Sequence, residues 1–188
     1  MDVIDVINKR RAYRSLAPVE IPQSLIEDLS RGAQLAPSCF NNQPWGFVFI
    51  YGSENLNKMH EALSSGNVWA HSASLIIAVS SRKEDDCIIK DREYHQFDCG
   101  LAAAFLILRA TELGLVAHPI AGFSPKKTKE VPGIPDEYKV ITLIILGKRA
   151  ETISSLLSEK QIAGEKVRPD RKTFTEITHV NRWKEECP

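Results

Sequence analysis

The sequence of 188 residues predicts a layered domain of the α/β or α+β class. Three apolar segments, residues 46–50, 75–79 and 140–146, are typical of strands, and segments with helical periodicity lie between them. The second segment is apolar throughout, which indicates a strand buried on both faces. Because helices and strands alternate irregularly, we expect them to pack as layers around one sheet, which either class allows.

The helices are predicted from apolar residues spaced three and four positions apart. In chain order they are a two-turn helix beginning near Val3, then residues 22–35, 54–63 and 92–113. Pro22 suits the first turn of its helix. Residues 101–108 are apolar nearly all round, which predicts burial in the core or in a subunit interface. A further strand is predicted over residues 116–120 and a charged loop over residues 82–91.

Residues 149–188 are predicted to be a C-terminal extension of a single domain that spans residues 1–188. Apolar residues between Ile153 and Ile162 allow one helix, whereas residues 167–183 are polar and lack a clean period. A solvated tail is one interpretation of this last stretch.

Composition excludes several classes of partner. Lys and Arg together number 24, as do Asp and Glu, so charge does not favour nucleic acid or an anionic membrane. No apolar run approaches the roughly 20 residues of a membrane span. The first residues are acidic and lack a secretory apolar core, so we expect a cytoplasmic protein.

The cysteines predict neither a disulfide nor a metal site. Cys39, Cys87, Cys99 and Cys187 are widely scattered, and the five histidines lack the spacing of metal ligands. A disulfide is not expected in a cytosolic protein. No histidine base is visible beside Cys39, so we interpret this residue as packing rather than as a nucleophile.

A basic cluster near the N-terminus is a candidate anion site. Arg10, Arg11 and Arg14 follow the apolar residues of the first predicted helix. If that helix continues, Arg10 and Arg14 project from one face, and guanidinium groups match phosphate oxygens bidentately. The alternatives are a solvated helix end, in which cations complement the helix dipole, and a nucleic-acid patch, which the neutral chain disfavours.

A second candidate site is the turn over residues 36–45. It carries two prolines and three amide side chains and leads directly into the strand that begins at Gly46. Such a turn can hydrogen-bond a flat heterocycle, since loops held by a scaffold often carry function. The alternative is a proline-punctuated turn whose side chains satisfy its own backbone.

Together these segments resemble the nitroreductase family of FMN-dependent oxidoreductases. The family pattern is Arg-Arg-x-x-Arg followed by Pro-Ser-x-x-Asn-x-Gln-Pro-Trp, which matches residues 10–14 and 37–45. Residues 97–115 resemble the central helix of the family, and residues 118–123 resemble its flavin-covering loop. The resemblance covers nearly all of residues 1–148. It implies a three-layer α+β fold with a central mixed sheet flanked by helices, in a homodimer with FMN at the subunit interface.

The resemblance also implies roles for individual residues. Arg10 would bind the 5′-phosphate, Arg14 would lie near the N1–O2 edge of the flavin, and the 37–43 turn would come from the neighbouring subunit. The implied cofactor-binding set is Arg10, Arg11, Ala12, Arg14, Pro37, Ser38, Cys39, Asn41, Gln43, Asn67, Pro119, Ile120, Ala121, Gly122, Arg168 and Arg171. Arg171 matches the late arginine of the family better than Arg168 does. The C-terminal segment, with Phe174, Ile177 and Val180, would cross to the partner's sheet as an exchanged arm.

Alternatives stay open for several of these residues. Arg14 could form a surface ion pair with Glu20, and for Asn42 we prefer a turn-capping role. The lack of a Cβ at Gly122 would let the backbone approach the flavin, although a simple loop glycine is the other interpretation. Asp98 is interpreted as a buried, paired carboxylate that holds its helix rather than as a general acid.

The activity that the resemblance implies is ping-pong oxidoreduction. NAD(P)H would reduce tightly bound FMN, and an electron-poor acceptor such as a nitroaromatic or a quinone would follow in the same slot, with no catalytic side chain required. Departures from the family at Ala12, Phe105 and Ala121 leave the substrate class open. The alternatives are an FMN storage or sensor module and a specialised reductase such as a dehalogenase-like or flavin-fragmenting enzyme. No Gly-x-Gly-x-x-Gly fingerprint is present, so the nicotinamide would bind transiently.

Overall fold

A five-stranded sheet organises the computed structural model, which describes residues 2–183. The strands of the sheet are β1 (Leu16–Ala17), β2 (Gly46–Tyr51), β3 (Leu75–Ser81), β6 (Leu115–Ile120) and β7 (Lys139–Arg149), and a separate hairpin is formed by β4 (Ile88–Ile89) and β5 (Arg92–Glu93). β7 pairs with β6 along one edge and with β3 and β1 along the other, and β2 pairs with β3. Every described pairing in the sheet is antiparallel, where the resemblance implied a mixed sheet.

The two faces of the sheet bury separate halves of the core. On β3, Ile76 and Ala78 belong to one apolar cluster, whereas Leu75, Ile77 and Val79 belong to the other. All seven residues of β3 are buried, which confirms the predicted two-faced burial. Because side chains alternate across a strand, one apolar run supplies both clusters.

Helices cover both faces and complete three layers, which confirms the α+β prediction. The helices are α1 (Val3–Lys9), α2 (Gln23–Gln34), α3 (Ser53–His60), α4 (His95–Glu112), α5 (Pro125–Glu130), α6 (Glu159–Lys166) and α7 (Phe174–Ile177). α2 and α4 pack on the face that includes Leu75, and Met59 of α3 and Trp69 pack on the opposite face. Among the described residues, no helix has both the length and the hydrophobicity to cross a bilayer.

Several predicted boundaries shift for local reasons. α1 ends at Lys9, which agrees with the predicted two-turn helix. Arg10 already has φ −58° and ψ 124°, so the helix does not continue and Arg10 and Arg14 do not share a helical face. Pro22 precedes α2 as its N-cap. The β4–β5 hairpin begins in the predicted charged loop and extends to Glu93, which delays the start of α4 to His95. In the middle of α4, Leu106 and Ala102 are fully buried, whereas Phe105 is 40% exposed.

The C-terminal extension begins after β7 and folds back onto the domain. Its helix α6 lies later than the predicted 153–162 helix because Ser158 and Gln161 form a capping box that fixes its start. The short α7 follows, and the arm residues Phe174, Ile177 and Val180 are each at least 64% exposed. Cys187 lies outside the described residues.

Candidate functional site

Four arginines gather where α1 ends. Partial burial, and then the charges of Arg168, Arg171 and Arg11, lower the pKa of Arg10 from its ordinary value. None of the four makes an ion pair with a carboxylate within residues 2–183. Like charges held together without a counter-ion repel each other, and an anion bound among them would remove that cost. The cluster is therefore a candidate anion site, and binding of an anion there stays a prediction.

The chain builds this cluster by tying its C-terminal extension to the end of α1. Arg168 donates from Nη2 to the carbonyl oxygens of Asn8 and, at 2.8 Å, of Arg10. Arg11 donates to the carbonyl oxygen of Gly164 at 2.8 Å, and its guanidinium lies 4.8 Å from the ring centroid of Tyr13. A cation that caps the last carbonyls of a helix also complements its dipole. Arg168 and Arg11 are therefore partly occupied by structural contacts.

Arg10 and Arg171 are left for a ligand. Within the described residues, neither side chain has a hydrogen-bond partner. Arg10 is partly buried and Arg171 is exposed, so the cluster opens to solvent on the side of Arg171. The preference for Arg171 over Arg168 as the ligand-binding residue stays a prediction, and these contacts support it.

Arg14 adds a fifth guanidinium next to the arginine cluster, on the side of the core residue Trp69. Its guanidinium carbon lies 5.8 Å from the ring centroid of Trp69. The alternative of an ion pair with Glu20 is not found, since neither residue has an ion-pair partner in the described part of the chain. A cation over the face of an indole is stabilised by the ring quadrupole and keeps its hydrogen-bond donors free.

Glu165 is a site residue that sequence reasoning missed. Its carboxylate is buried on α6 and accepts hydrogen bonds from the backbone amides of Arg14, at 2.7 Å, and Ser15, at 3.4 Å. These contacts fix the backbone from which the Arg14 side chain projects. No sequence signal marked Glu165, because it lies in a polar segment 151 residues from Arg14.

His118 is a buried histidine close to Arg14, and its imidazole ring is neutral. It stacks on Trp69 with 4.8 Å between ring centroids, and its Nδ1–H donates to the carbonyl oxygen of Tyr13 at 3.0 Å. Burial, helped by the charges of Arg14 and Arg10, lowers the pKa of His118 to about 4, although the Tyr13 hydrogen bond and Glu165 oppose the shift. The ring therefore adds no positive charge at neutral pH.

Asn67 and Gly122 connect Trp69 to the loop after β6. Trp69 Nε1 donates to Asn67 Oδ1 at 3.2 Å, and Asn67 Nδ2 donates to the Gly122 carbonyl oxygen at 2.9 Å. A Cβ on Gly122 would lie 2.5 Å from Ser64 Oγ and 2.7 Å from Asn67 Nδ2. The absence of a Cβ is therefore required by protein neighbours, and an approach of the flavin to this backbone stays a prediction.

The 36–45 turn forms a second group of predicted site residues. Ser38 Oγ accepts from the backbone amide of Gln43 at 2.9 Å, and Gln43 Nε2 donates to the Asn41 carbonyl oxygen at 3.2 Å, so part of the turn does satisfy its own backbone. Phe40, Asn41 and Gln43 have φ of 47°, 60° and 50°. Left-handed backbone at non-glycine residues costs about 1–3 kcal/mol each and is frequent at functional sites. The side-chain amide of Asn41, an exposed residue, has no hydrogen-bond partner in residues 2–183.

A disulfide between Cys39 and Cys87 ties this turn to the segment before β4, so the prediction of no disulfide and of Cys39 as a packing residue is wrong. Their Cα atoms are 6.1 Å apart although 48 positions separate them in sequence. Asn42 Nδ2 donates to Asp86 Oδ1 at 3.2 Å, so it binds the neighbouring segment rather than capping its own turn.

Asp98 anchors the turn from α4. The Cys39 backbone amide donates to Asp98 Oδ2 at 2.6 Å, and the carboxyl group is almost fully buried. Burial first, and then the nearby carboxylate of Asp86, raises the pKa of Asp98, while the Cys39 hydrogen bond opposes the shift. These contacts confirm the interpretation of Asp98 as a buried, paired group.

The predicted site residues thus fall into two groups within one chain. Direct contacts connect Arg14 through Trp69 and Asn67 to Gly122, whereas no described hydrogen bond or ring contact joins them to the 36–45 turn. The predicted site residues differ in exposure, and Ile120 is the one that is buried. The partly buried residues are Arg10, Arg11, Arg14, Ser38, Cys39, Asn67, Gly122 and Arg168. The exposed residues are Ala12, Pro37, Asn41, Gln43, Pro119, Ala121 and Arg171. Ile120 packs in the core cluster with Trp69, so it supports the loop from beneath.

Comparison with known proteins decides the family. The sequence pattern that defines the nitroreductase family matches residues 7–68 and 60–148. The chain belongs to the nitroreductase family. It is 30% identical over 156 residues to a protein of Methanothermobacter thermautotrophicus provisionally named NADH dehydrogenase/NAD(P)H nitroreductase, covering 80% of this chain and 79% of the relative. A protein of Archaeoglobus fulgidus with the same provisional name is 29% identical over 153 residues, covering 78% of this chain and 84% of the relative.

Solved structures of the nitroreductase family share the fold. A crystal structure described as an oxidoreductase containing FMN superimposes with a TM-score of 0.83 at 28% identity, over 99% of this chain and 94% of the other. A nitroreductase family protein of Clostridium difficile 630 superimposes with a TM-score of 0.78 at 22% identity, over 97% of this chain and all of the other. The chain is therefore an oxidoreductase of this family by sequence and by fold.

Proposed function

We propose that this nitroreductase is an FMN-dependent enzyme that uses NAD(P)H to reduce an electron-poor acceptor such as a nitroaromatic or a quinone. The observation that carries the proposal is the set of gathered arginines without a counter-ion, of which Arg10 and Arg171 keep all their donors free. The FMN content of the structural relative at 28% identity supports FMN as the cofactor.

Arg10, Arg171 and the remaining donors of Arg168 would hold the 5′-phosphate. A guanidinium offers two parallel N–H donors to a phosphate, and partial burial of Arg10 strengthens such a charge-assisted bond. Arg11 would contribute charge without direct contact, since its guanidinium already donates to Gly164. The exposed Ala12 offers the phosphate only its backbone amide.

Arg14 would stabilise negative charge at the N1–O2 edge of the isoalloxazine. When bound, FMN supplies the two-electron chemistry, in which a hydride is taken from NAD(P)H and the electrons pass to the acceptor. Arg14 keeps its donors free over Trp69, and neutral His118 below leaves the positive charge of the site to the arginines. The exposed residues Pro119 and Ala121, together with Gly122 in the loop after β6, would cover the isoalloxazine ring and shield it from water.

The site would be completed by a second copy of the chain, with residues 1–188 as one domain of each subunit. Pro37, Ser38, Cys39, Asn41 and Gln43 would then contact flavin or ribityl oxygens from the partner, which agrees with the absence of described contacts between this turn and the arginine group. The turn also exposes a free amide at Asn41.

Exposed apolar side chains on α1 and α4 support the homodimer. An open groove of about 510 Å³ lies between α1, α2 and α4, where Val3 is 72% exposed and Phe105 is 40% exposed. Apolar surface of this kind marks a protein interface more often than a solvated face. The C-terminal arm, with exposed Phe174 and Ile177, would pack on the partner as well.

Donor and acceptor would occupy one slot in turn, which gives ping-pong kinetics. A nicotinamide fingerprint is missing from the sequence, so NADH or NADPH would bind over the flavin and leave. No side chain is assigned as a catalytic base. The cytoplasmic location and the lack of a nucleic-acid partner stay predictions.

The test is an absorbance spectrum of the purified protein, followed by anaerobic addition of NADH and then NADPH. Flavin bands that bleach, with FMN released on denaturation, are the expected result. Bands that persist with both reductants would contradict the reductase and favour an FMN storage or sensor module. A colourless protein that also fails to bind added FMN would contradict the cofactor itself.

A further inference from the structure

A second cluster of chemically active side chains lies away from the arginines. The ligand atoms of Cys39, Asp86 and Cys87 all lie within 4.8 Å of one another. Cys39 belongs to the 36–45 turn, whereas Asp86 and Cys87 lie between the 3₁₀ turn Lys83–Asp85 and β4. The sequence predicted no metal site because metal-ligand motifs are recognised by close spacing, and Cys39 is distant from the other two in sequence.

Asp86 carries a buried oxygen that meets no N–H or hydroxyl donor in the described part of the chain. The residue is 8% exposed, and its Oδ1 accepts from Asn42 Nδ2 at 3.2 Å. Its Oδ2 is buried and receives no hydrogen bond from such a donor, and the group that interacts with this carboxylate is the buried carboxyl of Asp98. A buried carboxylate oxygen without a donor costs about 1–3 kcal/mol or more, so such an atom favours a bound ligand.

Reduction of the disulfide changes the charge of this cluster. The oxidised pair is neutral, whereas two thiolates beside the Asp86 carboxylate would place three negative charges together. Protons or a divalent cation must then neutralise them. Thiolate ligands select soft cations such as Zn²⁺, which takes sulfur at about 2.3 Å and carboxylate oxygen at about 2.0–2.2 Å in tetrahedral geometry. Ligand atoms around such an ion lie roughly 3.5–4 Å apart, so the two sulfurs, which are bonded to each other in the oxidised protein, must separate after reduction, while the Asp86 carboxylate already lies within 4.8 Å of both.

We propose that the reduced Cys39 and Cys87 thiolates, together with the Asp86 carboxylate, bind a Zn²⁺ ion. Water would take the fourth position, since Cys39 is partly exposed and gives access from solvent. Asn42, which donates to Asp86 and lies 3.5 Å from Cys87 Sγ, would orient two of the ligands from outside the metal. Zn²⁺ and the disulfide are then alternative links between the 36–45 turn and the segment before β4.

The Cys39–Cys87 disulfide converts to the Zn²⁺ site in two steps that are balanced in atoms and electrons. A phosphine reductant takes the sulfur–sulfur bond and one water to two thiols and a phosphine oxide, a two-electron step. Zn²⁺ then displaces the two thiol protons and forms two metal–sulfur bonds. Zn²⁺ binding is measured on flavin-free protein, because Cys39 is also assigned to the proposed flavin site whereas Asp86 and Cys87 lie outside it.

The test compares oxidised and phosphine-reduced wild-type protein, each titrated with Zn²⁺ and, as a spectroscopic probe, with Co²⁺. We expect the reduced protein to bind one Zn²⁺ per chain and to show thiolate-to-cobalt charge-transfer absorption, and the oxidised protein to show neither. The two samples have one sequence, so a variant that folds poorly does not obscure the result. The double variant C99S/C187S removes the other two thiols and is expected to bind as the wild type does.

Substitutions assign the ligands. Asp86→Asn is expected to weaken Zn²⁺ binding about tenfold or more, because loss of a direct ligand costs at least as much as loss of an outer-shell partner. Asp85→Asn is the matched control, since Asp85 pairs with Arg82 and is not in the cluster. The proposal is overturned if reduced protein retains no stoichiometric Zn²⁺, if Cys39→Ser leaves the cobalt spectrum unchanged, or if the Asp86 and Asp85 variants bind equally.

Discussion

The guanidinium of Arg14 lies over the ring of Trp69, with 5.8 Å between its central carbon and the ring centroid. The same indole donates to Asn67 and stacks on His118, so one buried side chain positions both a cation and the loop at Gly122. Trp69 is only 1% exposed, which makes it a rigid support. The proposed flavin edge is therefore built on the core of the domain and not on a mobile surface.

Gly122→Ala is expected to destabilise the fold. The new Cβ would meet Ser64 Oγ at 2.5 Å and Asn67 Nδ2 at 2.7 Å, and overpacking of this kind costs about 1–3 kcal/mol. Gly66→Ala is the matched control, because a Cβ there meets nothing within 4 Å. Urea denaturation of both variants measures the difference in stability. Equal urea midpoints would contradict the close packing of Ser64 and Asn67 against Gly122.

Glu165→Ala is expected to loosen the attachment of the C-terminal extension. Loss of the buried carboxylate leaves the backbone amides of Arg14 and Ser15 without their acceptor, at a cost of about 1–3 kcal/mol in the free energy of unfolding. Lys166→Ala, at the exposed neighbouring position of α6, is expected to change stability by no more than about 0.5 kcal/mol. Thermal and urea unfolding distinguish the two. If the Glu165→Ala and Lys166→Ala variants proved equally stable, Glu165 would have no part in holding the site.

Acid is expected to destabilise the protein through His118. The pKa of this histidine falls from 6.5 to about 4 on folding, so the unfolded chain binds the extra proton first. Above pH 6.5 the neutral His118 ring costs the folded state nothing. As the pH falls from 6.5 to about 4, the free energy of unfolding decreases by on the order of 3 kcal/mol. His118→Phe should flatten the pH dependence of the unfolding free energy in this window, whereas His71→Gln, at an exposed position, should not. Parallel pH profiles for wild type and His118→Phe would contradict this assignment.

Much of the fold could be predicted because its signals are local. The apolar run at Leu75 predicts a strand buried on both faces, and the structure places its side chains in both core clusters. The residues that determine this outcome are neighbours in sequence. The motif at residues 10–14 predicts an anion site, which stays a prediction, and the structure adds the distant Arg168 and Arg171 to the cations around Arg10.

The features that sequence analysis missed depend on residues distant in the chain. Arg168 caps carbonyl oxygens at the end of α1, about 160 positions earlier in the chain. Glu165 reaches the Arg14 backbone across a similar separation, and Cys39 meets Cys87 only because the turn packs against the segment before β4. No periodicity or spacing rule reports such contacts.

The most direct test of the account measures binding of FMN and of riboflavin, which lacks the phosphate, to the flavin-free wild type, to the double variant R10A/R171A and to R31A. Arg31, exposed on α2, lies outside the cluster and serves as the matched control. We expect the double variant to lose at least about 100-fold in FMN affinity, since charge-assisted bonds contribute about 1.5–3 kcal/mol each, while its riboflavin affinity and the R31A variant stay as in the wild type. Equal affinity of the wild type for FMN and riboflavin, or an equal loss of both ligands in the double variant, would contradict the assignment of these arginines to the phosphate.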